Sequence, residues 1–100
     1  MKKYKDGKYE VKKYSSGSKY WCYNGKIHRE DDLPAVECSD GFTGWSIHGE
    51  IHRIGAPSII RPDGSTAWYL DNIKYSEKEY WMELYKRGLT TKEQLLNALI

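Results

Sequence analysis

The residues best suited to chemistry are two His-Arg pairs, His28-Arg29 and His52-Arg53, two cysteines, Cys22 and Cys38, and an acidic run, Glu30-Asp31-Asp32. Imidazole and thiolate are the usual zinc ligands, and a thiol beside a base is a nucleophile. Neither chemistry has the spacing it needs here. There is no Cys-x-x-Cys, and the strand register derived below sets Cys22 on the opposite face from both histidines, with no acid or base on its own face except more distant charged groups. The three carboxylates read as a solvated loop, and no phosphate-cradling G-x-x-x-x-G-K loop is present. No catalytic residue, metal or cofactor is therefore expected.

The His-Arg pairs recur because a longer segment recurs. Residues 21–29 (WCYNGKIHR), 45–53 (WSIHGEIHR) and 68–76 (WYLDNIKYS) begin 24 and then 23 positions apart. Repetition at this period marks units that bury their apolar sides by stacking on one another. A histidine that returns with the repeat is expected to maintain it, as the packing partner of a cross-strand tryptophan.

Each repeat reads as a β-hairpin. Asn24-Gly25 and His48-Gly49 supply the positive φ angles of a two-residue primed turn, and Asp71-Asn72 is a weaker version. Asp40-Gly41 and Asp63-Gly64 read as turns of the same kind between repeats, and Ser16-Gly17 as an earlier one. Counting outward from two-residue turns predicts one ladder of Trp21, His28, Val36, Trp45, His52, Ile59, Trp68 and Tyr75, with Tyr23, Ile47 and Leu70 on the same side as the core. The opposite face then carries Cys22, Ile27, Arg29, Phe42, Ser46, Ile51, Arg53, Ile60, Tyr69 and Lys74. Pro34 and Pro57 hold matching positions at strand starts, and the extra residue of the first repeat requires a bulge or longer loop at 30–33.

After Tyr75 the period changes. Ser76 followed by Glu79 predicts a capped helix carrying Tyr80, Trp81, Leu84 and Tyr85 on one stripe and ending at Gly88. A second helix is predicted from Thr90 or Thr91, with Leu95, Leu96, Leu99 and Ile100 as its stripe. The expected fold is mainly β (α+β), an antiparallel meander of tandem hairpin repeats with one face covered by two C-terminal helices. It forms one domain over 1–100, with basic N-terminal strands at 1–19, hairpin repeats at 20–75 and helices at 76–100.

With 16 basic and 14 acidic residues the chain is neither a polyanion-coating protein nor an acidic nucleic-acid mimic. The first twenty residues nevertheless hold seven lysines against Asp6 and Glu10, alternating with Tyr4, Tyr9, Tyr14 and Tyr20. That pattern suits edge strands whose lysines discourage edge-to-edge pairing. As an alternative it suits a nucleic-acid-binding strip using Lys2, Lys3, Lys12 and Lys13. No signal peptide or membrane-spanning run is recognised, so a cytoplasmic location, reduced cysteines and no membrane partner are expected.

The string W-x-x-N-G-K-x-H-R, followed by P-A and then by D-G before the next Trp, resembles the degenerate MORN-like (YwqK-type) repeats of bacteriophage and bacterial proteins. The matching residues are Trp21, Asn24, Gly25, Lys26, His28, Arg29, Pro34, Ala35, Trp45, Gly49, His52, Arg53, Pro57, Asp63, Gly64 and Trp68. The stretch 75–81 (YSEKEYW) is similar to the helix that caps such arrays, and the resemblance covers residues 20 to about 82. It implies a scaffold or binding module, of the kind by which a small phage protein disables a host protein or defence nucleoprotein, including anti-CRISPR action, or an antitoxin-like neutraliser. The residues expected to touch the partner are Ile27, Arg29, Ile51, Arg53, Tyr69 and Lys74, because interfaces favour an apolar centre with arginine and aromatic contacts. Nucleic acid as ligand, or a homodimer over the same face, are the alternative partners.

Overall fold

The computed structural model describes all residues, 1–100. The strands are β1 Lys2–Asp6, β2 Tyr9–Lys13, β3 Lys19–Tyr23, β4 Lys26–Ile27, β5 Val36–Glu37, β6 Thr43–Gly44, β7 Ser46–Ile47, β8 Glu50–Ile51, β9 Ile59–Ile60, β10 Thr66–Leu70 and β11 Ile73–Tyr75. Two helices follow, α1 Glu77–Lys86 and α2 Lys92–Leu99. All pairings are antiparallel, and the main sheet runs β1-β2-β3-β5-β6-β9-β10-β11, with β4 attached to β3 and β7-β8 forming a separate small ladder.

Each repeat tryptophan sits where the sheet branches. The first half of β3 pairs with β5 and the second half with β4, along the same edge. At the fork, Trp21 N–H donates to the Ala35 carbonyl and the Trp21 carbonyl accepts from His28 N–H, both at 2.9 Å. Trp45 repeats the arrangement with Ser58 at 2.9 Å and His52 at 3.1 Å. The sheet thus continues through one half of the strand while the other half carries a short hairpin arm.

The arms follow the turn chemistry. Asn24 and Gly25 have φ of 50° and 76°, His48 and Gly49 have 50° and 82°, and Asp71 and Asn72 have 51° and 69°. All three are primed two-residue turns, the third without glycine because a short polar side chain tolerates the left-handed region. Trp21 opposite His28, Trp45 opposite His52 and Trp68 paired with Tyr75 follow directly.

The connections between repeats differ from the expected two-residue turns, and the difference moves residues between faces. Cys38 N–H donates to Phe42 O at 2.8 Å and Gly41 N–H to Cys38 O at 3.0 Å, which closes a three-residue loop with Gly41 at φ 102°. Arg61, Ser65 and Gly64 form the same loop, as do Tyr14, Ser18 and Gly17. The Asp40 carboxylate accepts from Phe42 N–H at 2.9 Å and that of Asp63 from Ser65 N–H at 2.9 Å, so each aspartate organises its own loop. One added loop residue slips the register by one. Val36 therefore pairs with Gly44 and Ile59 with Ala67, not with Trp45 and Trp68. Ala35 and Ser58 take the ladder positions, Val36 and Ile59 turn to the opposite face, and Ile60 leaves that face.

The core is small, with 14 of 100 residues buried. Val11, Trp21, Ala35, Trp45, Ser58 and Leu70 line the tryptophan face, and Ser58 carries its hydroxyl there because it accepts from Tyr69 N–H and donates to Tyr69 O. The β1-β2 hairpin, closed by Gly7-Lys8, extends the sheet beyond the first repeat, and the Asp6 carboxylate accepts from Trp21 Nε1 at 3.1 Å. At the other end Tyr80 and Leu84 of α1 pack with Leu70 against Trp68, Tyr75 and Trp81. Ser76 caps α1, Thr91 and Gln94 form a full capping box for α2, and α2 lies against α1 with no buried residue of its own. A radius of gyration of 14.8 Å exceeds the roughly 13 Å of a compact domain of this length, as a single-layer array requires.

The corrected register has a direct test. Ala35→Leu should overpack the space between Trp21 and Trp45 and cost about 1–3 kcal/mol in urea unfolding. Val36→Leu, on the other face, should change stability by under about 0.5 kcal/mol; the reverse ranking would restore the two-residue-turn register.

Candidate interaction surface

On the tryptophan face the repeat's own residues cover the indoles, although a cleft of about 480 Å³ remains beside Trp45, Ile47, His52, Arg53 and Ile54. β4 and β8 end at Ile27 and Ile51, so the chain turns after each histidine and the following arginine no longer alternates with the strand. Arg29 folds back with its guanidinium carbon 3.9 Å from the centroid of Trp21, and Arg53 with its own 3.7 Å from that of Trp45. Each also donates through Nη1 to a proline carbonyl at 3.1 Å, Arg29 to Pro34 and Arg53 to Pro57. Asp32 accepts from Arg53 Nε at 2.9 Å and Nη2 at 3.3 Å, and its carbonyl accepts from Trp45 Nε1 at 3.1 Å. Guanidinium stacking on indole contributes about 0.5–2 kcal/mol, more as water is excluded. The expectation that Arg29 and Arg53 lie on the face away from the tryptophans is thus corrected: both are lids on the indoles. In the third repeat Ser76 replaces the arginine and caps α1, while Tyr80 and Trp81 cover Trp68 at ring distances of 4.8 Å and 6.1 Å.

The histidines join repeat to repeat. His28 Nδ1 accepts from His48 N–H, the first turn residue of the second arm, at 2.8 Å. His52 Nδ1 accepts from Asp71 N–H, the same position of the third arm, at 3.0 Å. Beside each bond a backbone contact recurs, Gly49 N–H to Ile27 O at 2.8 Å and Asn72 N–H to Ile51 O at 2.9 Å. Asp71 is also held at 2.8 Å by Arg87, the residue that caps the C-terminus of α1, which extends the chain of contacts to the helix. Cys22 and Cys38 are free thiols, and no group of three or more His, Cys, Asp or Glu side chains is arranged to hold a metal ion.

His28 is 2% exposed, with the His48 ring stacked on it at 4.3 Å and Tyr9 and Tyr23 tilted around it. Burial first, then the neighbouring His48 and Lys8, hold its pKa below the ordinary value of 6.5. Glu30 lies 3.8 Å from Nε2 but is bonded to Lys8 through its other oxygen.

The opposite face follows from the register. Along β1 and β2 it presents Lys3, Lys5, Glu10 and Lys12, and along β3 Tyr20 and Cys22. Across the centre come Ile27, Val36, Gly44, Ser46, Ile51 and Ile59, and toward the helices Arg61, Ala67, Tyr69 and Lys74. Ile27, Val36, Phe42, Gly44, Ile51 and Ile59 surround a shallow groove of about 190 Å³. Gly44 opens it: a Cβ there would lie 3.6 Å from the Phe42 ring and 3.7 Å from Val36.

Of the residues expected to touch a partner, Ile27, Ile51, Tyr69 and Lys74 therefore share this face, and the first two line the groove. The lysines of the nucleic-acid alternative are divided. Lys3 pairs with Lys12 on the open face, and Lys2 with Lys13 on the tryptophan side. Val36, Gly44, Ile59 and Arg61 were not anticipated on this surface. The signal for them was the Asp-Gly loops, where an aspartate two residues before the next strand N–H favours a third loop residue. No helix is long and apolar enough to cross a membrane. Comparison with protein-family models, curated proteins and solved structures finds no match to this chain.

The histidine junction predicts an acid-sensitive fold. The unfolded chain takes up a proton below about pH 6.5 while the buried imidazole resists it, so the stabilisation is complete above that pH and is lost as pH falls toward the lowered folded-state value. The melting temperature should fall between neutral and mildly acidic pH. His28→Phe should remove much of that dependence and cost about 1–3 kcal/mol at neutral pH by stranding the His48 N–H; an unchanged melting temperature in the variant would contradict the junction.

Proposed function

We propose that this chain is a non-enzymatic, MORN-like protein-binding module, acting in the cytoplasm, that docks through its open sheet face onto a host protein or defence nucleoprotein and blocks it, as small phage proteins do. The observation that carries this reading is the difference between the two faces. The tryptophans have lids supplied by the chain itself, whereas the half-buried Ile27, Val36, Phe42 and Ile51 across the sheet have none. An apolar centre spanning adjacent repeats, with Tyr69 and cations around it, has the composition of an interface core. Arg29 and Arg53 enter as supports of the array, and Ile27, Ile51, Tyr69 and Lys74 as the contact residues. Nucleic-acid binding through Lys2, Lys3, Lys12 and Lys13 is the weaker reading, since these lysines point to two sides and the groove is apolar.

Affinity capture from bacterial lysate, compared across variants, tests the reading. Ile51→Asp should abolish retention of the partner with the circular dichroism spectrum intact, because it buries an uncompensated charge in the docked interface. Ile73→Asp, an exposed position outside this face, should retain it. Equal retention by both variants would refute docking through the open face.

A further inference from the structure

Resting on the docking reading, we propose that the partner presents an acidic surface around one bulky apolar side chain, which seats in the groove at Gly44. Charge on the open face is strongly one-sided. Lys3, Lys5, Lys12 and Lys74 stand on it against the carboxylate of Glu10, and Arg61 adds a cation that shares its loop, and the Ser65 hydroxyl, with Asp63. Even with Asp63 set against Arg61, four lysines face one glutamate on a chain whose net charge is only +2. Lys3 and Lys12 are directly paired across β1 and β2, a like-charge juxtaposition that costs stability unless an anion offsets it. Glu10, 3.9 Å from Lys3, offsets it only in part.

The cations bracket the groove. Lys3, Lys5 and Lys12 lie on the strands beyond β3, and Arg61 and Lys74 on the side toward α1, with the apolar depression between. A surface arranged in this way is complementary to acidic residues flanking an aromatic or large aliphatic anchor. It disfavours a second copy of this chain, because face-to-face pairing would set two cationic surfaces together. It also fits single-stranded nucleic acid poorly, since the central space is apolar and offers no phosphate partner.

The groove can be filled without disturbing the backbone. Gly44 has no positive φ, and the contacts its Cβ would make are ordinary van der Waals distances, so Gly44→Val adds methyls where the anchor would sit. The test uses the full chain and fluorescent synthetic peptides followed by anisotropy at physiological salt. One peptide has a Trp-Leu centre flanked by glutamates, a second the same centre flanked by lysines, and a third glutamate flanks with an Ala-Ala centre. A short oligothymidylate serves as the nucleic-acid probe.

The acidic Trp-Leu peptide should bind at least roughly tenfold more tightly than either control peptide. Gly44→Val should lose that advantage, and Lys3→Glu with Lys12→Glu should reduce it about as much while circular dichroism stays native. Equal binding of both Trp-Leu peptides, lost in Gly44→Val, would overturn the acidic partner and leave protein docking standing. Absence of peptide binding, tighter binding of oligothymidylate, or a dimer in sedimentation that Gly44→Val dissociates would each overturn the inference. The last two would also replace the docking reading.

Discussion

An imidazole nitrogen accepting one peptide N–H joins each repeat to the next, and the rest of the array depends on that contact. His28 takes the His48 N–H and His52 the Asp71 N–H, both at the first residue of the following arm. An arm two or three residues long on each side cannot hold itself against water. Docked through the imidazole, it gains a fixed register against the previous arm, and the second arm also stacks its His48 ring on His28. The indole then lies at the fork, the arginine closes over it, and the proline carbonyl beyond fixes the arginine. Tryptophan, histidine, arginine and proline are therefore one device, present twice. In the third copy a tyrosine, a serine and the helix α1 replace its last parts and terminate the array.

This device explains how 100 residues fold with so few of them buried. A second layer over the sheet is unnecessary because each tryptophan carries its own lid, and every buried side-chain polar atom has a hydrogen-bond partner. The ends are handled separately. A lysine-rich hairpin extends one edge, where repulsion discourages strand addition, and α1 packs over Trp68 at the other. What the device does not cover is the reverse side of the sheet, where Ile27 and Ile51 stay half-exposed around Gly44 with Ile59 buried at its floor.

Much of this was legible in the residues. The 24- and 23-residue spacing and the primed turns gave the Trp-His pairs and the antiparallel meander, and the change of period after Tyr75 gave both helices. The register of the connecting loops was not legible by counting alone, since Asp-Gly serves both two-residue and three-residue loops. Distinguishing them required seeing that Asp40 and Asp63 accept from the N–H two residues on. That one-residue slip sent Val36 and Ile59 to the open face. Arg29 and Arg53 were misplaced for a different reason: strand alternation was carried past Ile27 and Ile51, where the strands stop. Of the candidate surface, Ile27, Ile51, Tyr69 and Lys74 were visible from the arm turns, whose register is tight, and the groove was not, because it depends on the loops.

The central claim is that the repeat tryptophans are covered by the protein's own side chains, whereas Ile27, Val36 and Ile51 on the opposite face are only half-covered. Solvent paramagnetic relaxation, read by NMR with a soluble gadolinium agent, measures this directly on each side chain. The account predicts strong enhancement at the methyls of Ile27, Val36 and Ile51 and weak enhancement at the indoles of Trp21 and Trp45. Indoles relaxed as strongly as those methyls would contradict it.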